Sequence, residues 1–397
     1  MDRGRLHLRG QRREHHHDPS PPGDGLRTGA RTLPALRRLR GSTMSGFLCR
    51  HESVDTLPAA WDGLAEAPWQ QRRFLAHTQA TNPCSQRYYT WIEDGVCVAG
   101  AIVYNLPIDL LTYFPFKLPF SVAPNLRVCG VPASVSCPGL LGPPHRAGRL
   151  LTEVCVAEAS FLVALNLDPA MPVPPSMSAG PTLPTITLEV PWRTIDEYEG
   201  ALRADYRRRF RKIRARFAGC RLETTSCAAF TPAHHLQYLS VLNKSEARLE
   251  TLPEAFFRGL PEELFELTTI TRDGVMLGWL VMLIHGGRAA FFMGGMPDDA
   301  RREPDLYFYI TCCVLQRAIS RGARFLDLGQ TAEIPKLRLG GRLEPRAMAV
   351  YHPSGALRLL LAAAAPLLSY HREIETHHVF THCAPGEPGR PNQETNP

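Results

Sequence analysis

The sequence has little lysine and no long hydrophobic run. Only four of its 45 basic side chains are lysine, a bias that we attribute to genome composition rather than to recognition. The longest apolar run, 359–368, is interrupted by Pro366 and is shorter than the ~20 residues that span a bilayer. The first residues contain no apolar segment of the signal-peptide type. The sequence therefore predicts a cytoplasmic protein with no membrane partner.

The common catalytic signatures are also missing. The chain contains no GxSxG, no GxxxxGK[ST], no HExxH and no GxGxxG after a strand, which excludes most hydrolases, P-loop enzymes and Rossmann dehydrogenases. Its 11 cysteines include no CxxC pair, so reduced and mostly buried thiols are expected. His377, His378, His382 and Cys383 have no second ligand pair elsewhere, and we interpret them as a polar tail and predict no metal.

The positive charge is concentrated at one end of the chain. The formal net charge is +7, but residues 1–43 hold ten arginines and only four acidic side chains, and the remainder is nearly neutral. Residues 1–43 also lack a sustained apolar period, so we expect a disordered basic tail. The folded part therefore carries no general signal for nucleic acid.

A chain of 397 residues is long enough for two domains. The proline-rich stretch 168–184 is the best linker candidate. We predict an N-terminal domain over 44–183 that ends in this linker, a C-terminal domain over 184–375 and a disordered tail over 376–397.

Hydrophobic periodicity predicts mixed α/β structure in both domains. Expected in the first are a helix over 70–81, a hairpin formed by 88–92 and 96–104, and an apolar helix over 149–165. Expected in the second are strands 185–190, 265–272, 275–284, 288–296, 324–329 and 346–352, and helices 202–217, 305–321 and 357–370.

Four stretches of the second domain, 191–217, 273–296, 307–331 and 335–351, resemble the GNAT-fold acyltransferases of the BioF2-like and Fem-like type. The resemblance implies an α/β (α+β) fold with two GNAT-like domains, each a mostly antiparallel mixed sheet flanked by helices. The first domain fits only as a degenerate copy. The Q/RxxGxG/A pyrophosphate loop of ordinary GNAT enzymes is missing from the second domain.

One candidate cofactor site lies where a strand leads into a helix. Gly294 and Gly295 permit a close backbone approach, and a helix N-terminus attracts phosphate. Arg301 and Arg302 would add charge-assisted contacts, and Tyr307 is expected to line the cleft. The alternative is ordinary helix capping by the acidic residues of the same loop, which are Asp298, Asp299, Glu303 and Asp305.

The second candidate site is the loop after strand 324–329. Amide formation from a thioester needs a donor to the developing oxyanion and a group that takes the amine proton. Gln330 or Lys336 would supply the donor, and Asp327 or Glu333 the proton acceptor. The alternative is a polar loop in which the lysine and the glutamate face water.

The resemblance implies an acyltransferase that moves an acyl group from acyl-CoA or acetyl-CoA to a small-molecule amine. Two alternatives remain open. One is a non-catalytic binding protein on a GNAT scaffold, and the other is a Fem-like transferase that uses aminoacyl-tRNA. The second would need the arginine-rich helix 206–217 to bind tRNA, whereas an apolar stripe with a charged back is more typical of a solvated surface helix.

Overall fold

The computed structural model describes residues 46–82, 84–107, 125–245, 250–298, 305–370, 375 and 377–381, all of which lie in one compact unit. The first half of the chain contains the following elements: β1 (Gly46–His51), α1 (Trp61–Leu64), α2 (Arg72–Thr81), β2 (Arg87–Glu93), β3 (Val96–Pro107), β4 (Asn125–Cys129), β5 (Leu140–Leu141), α3 (Pro144–Glu158) and β6 (Leu162–Leu167).

The second half continues with β7 (Ser178–Glu189), α4 (Ile195–Ala201), α5 (Ala204–Arg216), β8 (Arg221–Thr225), α6 (Pro232–Lys244), α7 (Glu254–Arg258), β9 (Phe265–Arg272), β10 (Val275–His285), β11 (Arg288–Gly295), α8 (Leu306–Ser320), β12 (Phe325–Gly329), α9 (Glu333–Leu337), β13 (Arg342–Tyr351) and α10 (Gly355–Leu368). The mixed α/β class with a mostly antiparallel sheet flanked by helices is confirmed.

The strands form one continuous sheet in the order β1-β2-β3-β4-β6-β13-β7-β12-β11-β10-β9-β8, with β5 paired to β3. Within the described residues, only β4 with β6 and β11 with β12 pair in parallel. Strand β13 lies between the two halves, because it pairs with β6 on one side and with β7 on the other. The last strand of the chain therefore joins the two halves of the sheet.

The two halves also share a hydrophobic core. Trp61 and Phe74 from the first half pack in one cluster with Phe265 and Trp279 from the second. A separate cluster belongs to the second half and contains the α5 side chains Phe210 and Ile213 against α8. Each half therefore contributes to a common body that fixes the space between them.

The apolar segment 149–165 is not one helix, as the sequence predicted. Helix α3 ends at Glu158, Ala159 has the left-handed conformation with φ 45°, and Leu162–Leu167 is a strand. A left-handed residue ends a helix because it turns the chain away from the axis. The predicted linker 168–184 is not a linker over its whole length, because residues 178–184 belong to β7.

The end of the chain is ordered further than expected. Residues 377–381 follow the predicted domain boundary, yet Val379 is buried and Phe380 packs against Trp192 and Tyr198. The predicted tail 1–43 and most of the tail 376–397 lie outside the described residues. Helix α10 contains Pro366, and no helix in the described part of the chain is long and apolar enough to cross a membrane.

Candidate active site

Strands β11 and β12 separate in the middle of the sheet. Their parallel pairing covers only Arg288–Ala290 and Phe325–Asp327. Past Ala290, the register of β11 against β10 shifts, so that Phe292 is a bulge residue. A bulge interrupts the ladder and bends its strand. Residues 291–295 therefore have no strand partner on the β12 side within the described structure, and we call the gap between 291–295 and 328–331 the wedge.

A cavity of about 520 Å³ opens at the wedge and extends between the two halves. Its apolar wall in the first half comes from β3, β4 and β6, and its opposite wall comes from β11, α6 and α8. Six predicted site residues line this cavity, namely Gly294, Gly295, Tyr307, Asp327, Gln330 and Lys336. Glu333 is not among the lining residues, and Arg301 and Arg302 lie outside the described part of the chain.

Asp327 is the last residue of β12 that pairs with β11. Its carboxylate accepts hydrogen bonds from the Gly329 N–H at 2.7 Å and from the Ser136 hydroxyl at 3.0 Å. Burial raises the pKa of Asp327, while these two hydrogen bonds and the positive charges of Lys336 and Arg346 act to lower it. A carboxylate with a raised pKa is a better proton acceptor than an exposed one.

Lys336 is buried, with 2% of its surface exposed, and Glu333 is buried too. The alternative of a polar loop whose lysine and glutamate face water is therefore wrong. Two consecutive left-handed residues, Thr331 (φ 60°) and Ala332 (φ 47°), turn the chain after β12, and α9 then carries Lys336 back beneath the end of the strand. Such conformations are rare outside glycine and are retained where the surrounding structure enforces them.

The ammonium group of Lys336 lies under the wedge. Its Nζ donates a hydrogen bond to the Gln330 carbonyl oxygen at 2.7 Å. Burial lowers the pKa of Lys336 to about 8, although the charges of Asp327 and Glu333 act in the opposite direction. An ammonium group has three N–H donors, and this is its only hydrogen bond within the described residues, so two donors remain for a ligand.

The side-chain amide of Gln330 is already occupied. Its Nε2 donates to Asn166 Oδ1 at 2.9 Å and to the Leu183 carbonyl oxygen at 2.5 Å. A primary amide has only two N–H hydrogens, so the predicted role of Gln330 as an oxyanion donor would require breaking one of these bonds. In this structure Gln330 instead ties the end of β12 to β6 and β7.

The two glycines at the end of β11 have a packing explanation. A Cβ on Gly295 would lie 2.2 Å from Nε1 of Trp279, a fully buried side chain that donates to the His234 carbonyl oxygen. A Cβ on Gly294 would lie 3.1 Å from the Trp279 carbonyl oxygen. Glycine is therefore required at position 295 by Trp279, whether or not a ligand approaches.

We expect Gly295→Ala to lower the free energy of unfolding by about 1–3 kcal/mol, because Trp279 is anchored and cannot move away. Urea denaturation measures the change. Gly200→Ala in α4 is the matched control, since nothing lies within 4 Å of its added Cβ, and alanine is favoured over glycine in helices. Equal stability of Gly295→Ala and the original protein would contradict the packing explanation.

The N-terminus of α8 has no side-chain cap. Asp305 precedes the helix with φ 73° and makes no capping hydrogen bond. Its carboxylate instead pairs with Arg209 and Arg216. The capping interpretation therefore does not hold for Asp305. Of the other acidic residues in this loop, Asp298 is described, whereas Asp299 and Glu303 lie outside the described residues.

Ser136, Asn166 and Glu250 are among the polar residues of the cavity that sequence reasoning missed. Ser136 and Asn166 bind the predicted residues Asp327 and Gln330 directly. Glu250 accepts hydrogen bonds from Asn82 Nδ2 at 2.5 Å, from the Ser134 N–H at 3.0 Å and from the Ala133 N–H. These partners are more than 100 residues away in the sequence, which no local pattern reveals.

Most arginines of the basic helix α5 are engaged within the protein. Arg211 and Arg214 pair with Glu199, and Arg209 pairs with Asp305. Arg207 donates to backbone carbonyl oxygens at the end of α4. These contacts are typical of a surface helix that packs against α4.

The histidines near the end of the chain form no metal site in the described ranges, which omit His382 and Cys383. His377 lies near Tyr206.

Residues 200–336 match the family model described as an acetyltransferase (GNAT) domain. This part of the chain is therefore a GNAT domain, and the expectation of a GNAT-type N-acyltransferase is confirmed at the level of that domain. The match does not separate BioF2-like from Fem-like members. No curated protein matches the chain.

Several solved structures are similar to longer parts of the chain. FemX is 12% identical with a TM-score of 0.45, over 75% of this chain and 94% of that one. L-PGS from Bacillus licheniformis is 10% identical with a TM-score of 0.45, over 74% and 95%. A tandem GNAT protein from the clavulanic acid biosynthesis pathway, without AcCoA, is 14% identical with a TM-score of 0.41, over 76% and 94%. Likeness at this level does not bear on the substrate.

Proposed function

We propose that the chain, whose residues 200–336 form a GNAT acyltransferase domain, transfers an acyl group from acyl-CoA to a primary amine in the cavity between its two halves. One observation carries this proposal. Asp327 and Lys336, a proton acceptor and a cation, lie together where β11 and β12 separate. The proposal does not depend on the predicted roles of the other site residues.

The wedge suits the donor substrate. The β12 side of residues 291–295 faces the cavity without a strand partner among the described residues. An extended amide-containing chain, such as the pantetheine arm of CoA, can use such backbone groups as hydrogen-bond partners. Tyr307 lies at the first turn of α8 and lines the same space. The thioester would then reach the end of β12, next to Lys336.

The reaction exchanges one bond for another. The amine nitrogen attacks the thioester carbonyl carbon, the C–N bond forms, the C–S bond breaks, and CoA leaves as its thiol. An acceptor that arrives as an ammonium ion releases two protons, of which one goes to the thiolate sulfur and one to Asp327 and then to solvent. Lys336 donates to the carbonyl oxygen, where negative charge develops in the transition state.

An aminoacyl-tRNA donor is less well supported by this surface. The arginines of α5 that would contact phosphates are held by Glu199, Asp305 and the end of α4. Binding tRNA there would require exchanging these internal pairs for phosphate contacts. We therefore favour a CoA thioester over tRNA as the donor.

Thermal unfolding with a ligand series tests the proposal. The series is acetyl-CoA, a longer acyl-CoA, free CoA and S-acetylpantetheine, and a ligand at 100 times its dissociation constant should add about 2.7 kcal/mol of stability. We expect acyl-CoA to stabilise the protein and mass spectrometry to detect an acylated amine after incubation. Salt-dependent retention of aminoacyl-tRNA without any CoA effect would instead show the tRNA-dependent alternative. Binding of CoA with no product from any amine would show a non-catalytic protein.

A further inference from the structure

Glu158, Glu266 and Glu250 are carboxylates largely withdrawn from solvent, and they differ in their partners. Glu158 and Glu266 are each bound by two arginines, which are Arg87 and Arg127 for Glu158 and Arg317 and Arg321 for Glu266. Although burial acts to raise them, these arginines hold the pKa of both carboxyls below the usual value. Glu250 has no cation partner among the described residues, and burial raises its pKa.

Glu250 is held in place by neutral donors only. The Ala133 and Ser134 N–H groups and the Asn82 amide donate to its carboxylate. Ala133 and Ser134 both adopt the left-handed region, with φ 78° and 55°, and this turn directs both N–H groups at one oxygen. Three neutral donors orient a carboxylate but do not neutralise its charge, so this carboxylate has no counter-ion within the described part of the chain.

The cavity wall around Glu250 suits a ligand that carries one cationic group on an otherwise apolar skeleton. Glu250, Asp327 and Lys336 are the only charged side chains among the described residues that line the cavity, so its formal charge is negative. Lys336 lies at the end of the cavity that contains Asp327, where it donates a hydrogen bond to the Gln330 carbonyl oxygen. Around Glu250 the wall contains Tyr104 and Tyr238 together with aliphatic side chains. Ser134 is exposed, so this end of the cavity opens to solvent.

One short segment links Glu250 to the proposed reaction centre. The Ser134 N–H binds Glu250, and the Ser136 hydroxyl binds Asp327. Residues two positions apart have Cα atoms separated by at most ~7 Å. The two carboxylates are therefore held at opposite ends of a three-residue segment, within reach of the two ends of one small molecule.

We propose that the acceptor carries two nitrogen groups on an apolar spacer, one bound as a cation by Glu250 and the other acylated beside Asp327 and Lys336. This inference rests on the proposed function and names its substrate class, an α,ω-diamine or a molecule with the same spacing of amines. Glu250 binds the substrate away from the reacting atoms and selects for its second charge.

Binding without an acyl donor tests the inference separately from the transfer reaction. Isothermal titration compares α,ω-diamines, from propanediamine to octanediamine, with the monoamines of equal length. We expect the best diamine to bind at least about tenfold more tightly than its monoamine, because only the diamine can place one cation at Glu250 and the other beside Asp327 at the same time. Glu250→Gln should remove this preference, so that diamines bind no more tightly than monoamines of equal length.

Two further variants control for folding and for charge. Glu250→Asp keeps the charge on a shorter side chain, so the diamine preference should persist and its optimum should move to a longer spacer. Glu262→Gln changes an exposed glutamate and should alter nothing. Equal binding of diamines and monoamines, no binding of either, or a preference that survives in Glu250→Gln would overturn the inference. A diamine preference without acyl transfer would leave the site standing and reject the proposed function.

Discussion

Lys336→Met is expected to lower the turnover number by ~10²–10³, the usual loss when one preorganised oxyanion donor is removed. Methionine has a similar length and fits the buried position of Lys336, which is 2% exposed. The Gln330 carbonyl oxygen loses its donor, but a desolvated charge is also removed, so the melting temperature should stay close to that of the original protein. Steady-state kinetics with saturating acyl-CoA measures the effect.

The pH profile separates a catalytic lysine from a structural one. Lys336 carries the positive charge that stabilises the oxyanion only as ammonium, and its pKa is about 8, so turnover should fall as the pH rises through about 8. Lys336→Met should lack this descending limb. Lys212→Met is the matched control, since Lys212 lies exposed on α5. Unchanged turnover in a folded Lys336→Met variant would place the oxyanion donor elsewhere in the cavity.

Phe210→Ala is expected to destabilise the protein by about 3–5 kcal/mol. The Phe210 ring is 2% exposed, lies in the core between α5 and α8, and its centroid is 5.3 Å from that of Tyr198. Truncation leaves a cavity that the surrounding rings cannot fill. Urea denaturation gives the free energy of unfolding directly.

Arg208→Glu on the exposed face of the same helix provides the comparison. The Arg208 side chain is 79% exposed and pairs with the exposed Asp205, so the substitution should change stability by no more than about 0.5 kcal/mol. A similar loss in both variants would mean that α5 is sensitive along its whole surface. Loss of activity in a stable Arg208→Glu protein would identify α5 as a binding surface.

The sequence predicted best those elements whose signal is local. The meander β9–β11 follows from alternation and from two glycine-containing turns, and α5 follows from the spacing of Phe210 and Ile213. The prediction of a helix over 162–167 failed because LVALNL continues the apolar character of α3, from which it is separated by the left-handed Ala159 and two further residues. Periodicity does not reveal a single backbone reversal.

The candidate site shows the same limit. Asp327, Gln330 and Lys336 were found because they follow one strand, and the structure brings them to one cavity. The burial of Lys336 depends on the left-handed pair Thr331 and Ala332, for which the sequence gives no glycine signal. The occupied amide of Gln330 and the whole environment of Glu250 depend on contacts across more than 100 residues, which one sequence does not contain.

The position of β13 has a consequence for how the chain folds. Until residues 342–351 have been synthesised, β6 and β7 are two unpaired strand edges at the centre of the future sheet. Exposed edges of this kind recruit other strands, so a nascent or truncated chain is open to aggregation at that position. Pairing of β13 with β6 also joins residues far apart in the sequence, and contacts of this type slow folding. The sheet can therefore close only after β13 has been synthesised, when this strand enters between β6 and β7.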